Sequence, residues 1–97
     1  MKLTEKQRKH LRRQAHSLKP IISLGDKGVT DGFVQELDGT LEHHELIKVK
    51  VRTGDRDSRN QVIEELVGKT GAILVSRVGN IATLYRARST KPTIVLP

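Results

Sequence analysis

PIISLGDKGVTDGFVQELDGTLEHHELIKVKVR, residues 20–52, is the stretch from which the fold can be predicted. The apolar run at 21–24 lies between a proline and a glycine, which is typical of a short buried strand. From about residue 30 to 43 the apolar residues recur at helical spacing, and residues 46–52 then alternate between apolar and basic. Strand, helix and strand in this order predict parallel pairing with a right-handed crossover.

A first helix is predicted on the N-terminal side of this unit. Thr4-Glu5-Lys6-Gln7 has the form of a capping box, which places the start of the helix at Thr4. Leu11, Ala15 and Leu18 form its apolar stripe, so this side is expected to pack on the domain. The helix should stop before Pro20, which disfavours helical geometry in the residue that precedes it.

A third helix and a hairpin are predicted on the C-terminal side. The helix is capped by Asp57 or Ser58 and ended by Gly68 or Gly71. A tight hairpin at Gly79–Asn80 then joins two strands. These strands cover residues 72–78 and 81–85.

The predicted fold is a single α/β domain over residues 1–97, with an extended tail at 86–97. Its element order is helix, strand, helix, strand, helix, strand, strand, in a mixed four-stranded sheet in which strands joined by a helix pair in parallel. A chain of 97 residues is long enough for one core only.

Composition excludes several classes of protein. The chain has no cysteine, so neither a disulfide framework nor a thiolate zinc site is available. The longest apolar run, Ala72 to Val75, is far shorter than the roughly 20 residues of a membrane helix, and no export signal is visible. A cytoplasmic protein with no membrane contact is therefore expected.

Charge is distributed unevenly along the chain. The net charge is +7, and residues 1–20 carry seven basic residues against the single acid Glu5. Residues 31–45, by contrast, hold five acids and no lysine or arginine. A basic surface of this kind indicates a nucleic-acid partner, although anionic lipid or an acidic protein could also bind it.

The loop Gly25-Asp26-Lys27-Gly28 is one candidate phosphate site. It follows a strand and precedes a helix, where glycines allow close approach of the backbone, amides favour anions and Lys27 adds positive charge. A simple strand-to-helix turn explains the same glycines, and the Asp26 carboxylate would repel a phosphate.

Cationic side chains of the first helix and of the second strand complete the candidate interface. On the strand, Ile47, Val49 and Val51 point to one side and the basic residues to the other, which could also be ordinary solvated surface. The cations assigned to RNA binding are Lys6, Arg8, Lys9, Arg12, Arg13, Lys19, Lys48, Lys50 and Arg52.

No pattern in the sequence predicts an enzyme, a cofactor or a bound metal. Gly68-Lys69-Thr70-Gly71 contains the letters GKT, but a Walker loop requires glycine at position 63, which is Ile63. The four histidines, His10, His16, His43 and His44, have no convergent carboxylates or cysteines to complete a metal site. Two aromatic residues are too few for a base-stacking platform, so recognition of backbone and shape is expected.

Three segments together resemble a known family: KPIISLGDKGVTDGF (19–33), LEHHELIKVKVR (41–52) and VGNIATLYR (78–86). They are similar to the CRM domain, the chloroplast RNA splicing and ribosome maturation family, in its stand-alone bacterial YhbY-type form. The resemblance implies a fold similar to the C-terminal domain of translation initiation factor three. It also implies a GxxG loop, residues 25–28, that resembles the RNA-contacting loop of KH domains.

The same resemblance implies a function. The expected partners are RNA and precursors of the large ribosomal subunit, and the expected role is non-catalytic, in ribosome maturation, by a monomer. Two other classes remain open from the sequence. One is a protein-interaction module whose acidic second helix and basic first helix mediate assembly with a ribosomal protein or with a second copy of the chain. The other is a nonspecific DNA-binding protein.

Overall fold

The computed structural model describes residues 2–52 and 54–97. Within these residues the predicted element order is confirmed. The elements are α1 Glu5–Ala15, β1 Pro20–Leu24, α2 Asp31–His44, β2 Leu46–Val51, α3 Arg56–Thr70, β3 Ile73–Val78 and β4 Ile81–Tyr85.

The four strands form one mixed sheet in the order β1-β2-β4-β3. β1 and β2 are parallel, as predicted, with Leu24 opposite Val51. The prediction that β2 and β3 also pair in parallel is wrong, because β4 lies between them and is antiparallel to both. The hairpin explains this order: Gly79 adopts φ 60°, β4 folds back along β3, and its other edge then pairs with β2.

The sheet has apolar side chains on both faces. On one face α2 and α3 cover the larger core, which includes Ile47, Val49 and Val51 of β2 as predicted. On the other face α1 covers a smaller cluster, which we call the α1-side cluster. Its buried members are Leu11, Ala15, Leu46, Val75 and Tyr85, and Ile94 and Leu96 of the C-terminal tail pack against it.

Local side-chain chemistry sets the ends of α1 and α3. Thr4 caps α1 in the predicted capping box with Gln7, but Leu18 lies beyond the end of the helix and is 37% exposed. Asp55, rather than Asp57 or Ser58, caps α3, because its carboxylate accepts the amide of Ser58 at 2.9 Å.

α2 ends on Glu45, a residue that the sequence did not single out. The helix ends at His44, and its C-cap is Glu45 at φ 66°. Its side chain is fully buried, and its carboxylate accepts hydrogen bonds from the C-terminal tail. The donors are the amides of Arg88, Thr93 and Ile94 and the hydroxyl of Thr93.

These hydrogen bonds determine the ionisation of Glu45. Burial alone raises the pKa of the Glu45 carboxyl, but the hydrogen bonds of Thr93, Arg88 and Ile94 lower the pKa by more, from 4.5 to about 2. The folded domain therefore keeps a buried carboxylate ionised in order to hold its own C-terminal tail.

Two arginines of the tail bind the C-terminal half of α2. Arg86 pairs with the carboxylates of Asp38 and Glu42, and Arg88 donates to the backbone carbonyls of Glu42 and His43. Cations near the end of a helix satisfy its free carbonyls and its dipole. Two of the five acids predicted for the second helix, Asp38 and Glu42, are thus paired with a cation of the same chain.

None of the helices in the described parts of the chain has the length and apolar character needed to cross a bilayer.

Candidate nucleic-acid interface

The α1 side of the sheet is arranged in three rows that run across the strands. α1 covers the first row, Leu46, Tyr85 and Ile73, which belongs to the α1-side cluster. The second row is Lys48, Thr83 and Ser76, and the third is Ser23, Lys50, Ile81 and Val78. Each row is two residues further along β2 and β4, and on β3 a bulge adds one residue between Ile73 and Ser76, so all three rows point to the same face.

A groove lies between α1 and the second row. Its volume is about 390 Å³. Arg12 of α1 and the C-cap residue His16 line it on the helix side, and Lys48 of the second row lines it on the sheet side. Among the residues that the structure describes, no acidic side chain lines this groove, so its potential is set by the cations.

Helix geometry shows which cations of α1 point into solvent and which lie beside the sheet. Residues advance by about 100° around a helix, and Leu11 and Ala15 mark the buried side of α1. Lys6 and Arg13 therefore point away from the sheet into solvent. Arg12 lies beside the groove, with a guanidinium nitrogen 3.6 Å from the Glu5 carboxylate, and the predicted Lys9 is exposed on the same helix.

Arg8, also predicted to bind RNA, contacts the protein itself. Its guanidinium donates to the carbonyls of Leu74 and Val75, each at 2.7 Å. A bulge between Leu74 and Ser76 interrupts the pairing of β3 with β4 at this point, which leaves backbone carbonyls free to accept. Arg8 therefore anchors α1 to the sheet, and substituting it would disturb the fold together with any ligand contact.

The glycine loop lies at the far end of β1 from α1. Residues 25–28 share a shallow pocket of about 330 Å³ with the first turns of α2, including Thr30, Phe33 and Glu36. The amide of Gly28 donates to the carbonyl of Gly25 at 3.1 Å, and Gly28 has φ 70°. The loop is a tight turn in which Asp26 and Lys27 are exposed.

Strand cations lie between the groove and the loop. Lys50 is opposite Ser23, and with Lys19 it lines a depression along β1. Arg52 follows β2, and its amide donates to the carbonyl of Leu24, the residue before the loop. The structure thus brings together Arg12, Lys48, Lys50 and Lys19 on one face, while the loop and α1 line separate pockets.

Three polar groove residues, His16, Ser76 and Thr83, were not among the predicted site residues. His16 had been considered only as a metal ligand, and Ser76 and Thr83 carry no pattern that distinguishes them in the sequence. They become neighbours only because β4 lies between β2 and β3. In the described residues, no three side chains of the metal-ligating types His, Cys, Asp and Glu form a group that could hold a metal ion.

The fold and this surface define a small α/β domain with one cationic, partly uncovered sheet face. The chain belongs to the CRS1/YhbY (CRM) domain family, whose sequence model matches residues 3–86. This match confirms the family predicted from the LGDKG, HELIKVK and LYR segments.

Relatives and a solved structure resemble the chain over nearly its full length. An RNA-binding protein of Haemophilus influenzae is 42% identical over 95 residues, which cover 98% of this chain and 95% of that protein. The probable RNA-binding protein YqeI of Bacillus subtilis is 39% identical and covers 98% and 99%, respectively. The solution structure of protein SAV1595 from Staphylococcus aureus superposes with a TM-score of 0.84 at 35% identity, covering 99% of this chain and 100% of that one.

Proposed function

We propose that this protein binds structured RNA and acts, without catalysis, in the maturation of the large ribosomal subunit. RNA phosphates would lie along the cationic sheet face, and the loop at 25–28 would contact a further phosphate beyond Arg52. The observation that carries the proposal is that Lys48 and Lys50 lie side by side on the part of the sheet face that α1 leaves uncovered. Arg12 and Lys19 flank them.

The ion pairs of the domain support this assignment. Within the described residues, Lys19, Lys48 and Lys50 have no carboxylate within 4.0 Å, whereas Arg86 and Lys69 are paired. Arg12 is only weakly paired, with Glu5 at 3.6 Å. Unpaired lysines on one face attract a polyanion, and they release its bound counterions when they contact its phosphates. The names of the bacterial relatives agree with an RNA partner.

The acidic second helix offers less surface to a protein partner than its sequence implied. Asp38 and Glu42 bind Arg86, and Glu45 is buried under the tail. Only Asp31 and Glu36 of the five acids remain exposed without a role in holding the tail. We therefore favour RNA over a ribosomal protein as the direct partner, with the domain acting as a monomer in the cytoplasm.

Sedimentation of cell lysates tests the ribosomal part of the proposal. The tagged full chain should migrate in a sucrose gradient with precursors of the large subunit, and mild nuclease treatment should return it to the top, because RNA phosphates hold it. Competitor structured RNA should displace it more effectively than duplex DNA. Retention after nuclease would point to a protein partner, and equal competition by DNA would point to nonspecific binding.

A substitution at Gly25 tests the loop. A side chain at Gly25 would have open space around it and no positive φ to accommodate, whereas Gly28 has φ 70° and would be strained by any side chain. Gly25→Asp should therefore weaken binding of a ribosomal RNA hairpin by about threefold to tenfold through added negative charge. Its thermal melting temperature should stay within a few degrees of the wild type.

The matched control for Gly25→Asp is Gly39→Asp, on the exposed surface of α2, where a side chain also meets open space. It adds the same charge away from the loop and should leave the affinity nearly unchanged. If both variants weaken binding equally, the loop is only a turn.

A further inference from the structure

The groove beside α1 has the size of a site for one small planar group. Its volume of about 390 Å³ lies at the low end of the range of about 300–1,000 Å³ usual for small-molecule sites. Thr83 and Ser76 are register partners on its floor, and Ile81 and Val78 continue that floor outward. Val78 is 77% exposed, so an apolar edge of the groove meets solvent.

The groove is lined by both apolar and polar groups, as a nucleotide-binding site requires. Ala15, Ile81 and Val78 offer apolar contact to the face of a base, and the hydroxyls of Ser76 and Thr83 are suited to its polar edge. Arg12 and His16 carry a guanidinium and an imidazole, two planar groups that, like the larger aromatic rings, stack on bases in RNA complexes. The scarcity of Phe, Tyr and Trp therefore does not exclude stacking here.

We propose that this groove receives the base of a single unpaired nucleotide, while Lys48 and Arg12 hold the adjoining phosphates. The inference rests on the proposed function and deepens it, because it names the feature of the RNA that is recognised. A continuous duplex can contact the lysines by its backbone but keeps its bases stacked. A duplex interrupted by one extruded nucleotide fills the groove as well and binds more tightly.

Charge complementarity favours a nucleotide over an apolar peptide as the occupant. The described residues that line the groove include two cations and no acid. An apolar segment would therefore leave Lys48 partly desolvated without a partner, and Arg12 with only its exposed pairing to Glu5. An extruded nucleotide within an RNA strand has one phosphate on its 5′ side and one on its 3′ side, so these phosphates can pair with both cations.

Three matched RNA hairpins test the proposal with the full-length protein. One is fully paired, the second has a single unpaired adenosine in the stem, and the third has an abasic nucleotide at the same place. The wild type should bind the adenosine hairpin about tenfold more tightly than the abasic one, which is the effect of about one stacked base. The abasic and paired hairpins should bind with similar affinity.

The outcomes separate the two proposals. If all three hairpins bind equally and the affinity falls steeply with salt, phosphate binding stands and the base site is overturned. If none of them binds in a salt-dependent manner, the proposed RNA function itself is overturned. A tenfold preference that depends on the base supports both.

Two variants locate the base preference in the groove. His16→Ala removes an exposed ring, and Ser76→Leu fills the groove without a change of charge; each should reduce the preference to about twofold or less, with little change for the abasic hairpin. His43→Ala, an exposed histidine on α2, is the matched control and should retain the preference. A preference that survives both groove substitutions, confirmed as folded by circular dichroism, would overturn the assignment.

Discussion

Lys48→Gln/Lys50→Gln is expected to weaken RNA binding by about 10- to 100-fold at low salt. The two lysines point to the same face from one strand, in rows two and three, and neither is neutralised by a carboxylate among the described residues. Each phosphate contact contributes about 0.9 to the slope of log affinity against log salt. The slope, expected near −4 to −5 for the wild type with about five or six contacts, should therefore become shallower by about 2.

The control for this pair removes two charges from elsewhere. Lys69→Gln/Arg77→Gln lowers the net charge equally; Lys69 lies in α3, on the opposite side of the sheet, and Arg77 pairs in register with Ala82, a residue of the α2 and α3 core. Glutamine retains much of the side-chain stem in all four cases. If the control lowers affinity and slope as much as the lysine pair does, only net charge matters and no cationic face exists.

Glu45→Ala is expected to lower the free energy of unfolding by about 3 kcal/mol, the equivalent of a pKa shift from 4.5 to about 2. The substitution leaves the amides of Arg88, Thr93 and Ile94 without their buried acceptor. It should also free the tail that carries Ile94 and Leu96 onto the α1-side cluster. Urea denaturation at pH 7 measures the loss. Alanine has a Cβ as glutamate does, so the unusual φ of 66° is equally unfavourable in both proteins.

The pH dependence gives this prediction a second signature. Because the pKa of Glu45 is lower in the folded than in the unfolded chain, its contribution is complete above about pH 4.5 and disappears as the pH falls through about 2. The stability difference between wild type and Glu45→Ala should therefore shrink between these two values. A difference below about 1 kcal/mol at pH 7, or one that does not change with pH, would show that the carboxylate does not hold the tail.

The elements and their order could be predicted from the sequence because their signals are local. The alternation of β2, the capping box at Thr4 and the hairpin at Gly79–Asn80 each lie within a few residues. The position of β4 between β2 and β3 could not be predicted, since it depends on which sheet edge remains free after the hairpin closes. Nor does the sequence show that Glu45 contacts residues 88–94, more than 40 positions away.

The candidate site could be predicted only in part. The side of β2 that carries Lys48 and Lys50 followed from alternation alone. Arg8 is indistinguishable in sequence from its basic neighbours, yet it meets the carbonyls at the β3 bulge. The wall and floor of the groove come from α1, β2, β3 and β4, so the groove cannot be predicted from any single segment of the sequence. The loop at 25–28 and the α1 cations do not share a pocket, and a common phosphate-binding surface requires the strand lysines between them.

Amide chemical shifts recorded during titration with a ribosomal RNA hairpin test the central claim most directly. The claim is that RNA lies on the α1 side of the sheet. The largest shifts should fall on the second and third rows, at Lys48, Lys50, Ile81 and Thr83, and on the end of α1 around His16. Shifts concentrated instead on the exposed surfaces of α2 and α3, with these rows unchanged, would contradict it.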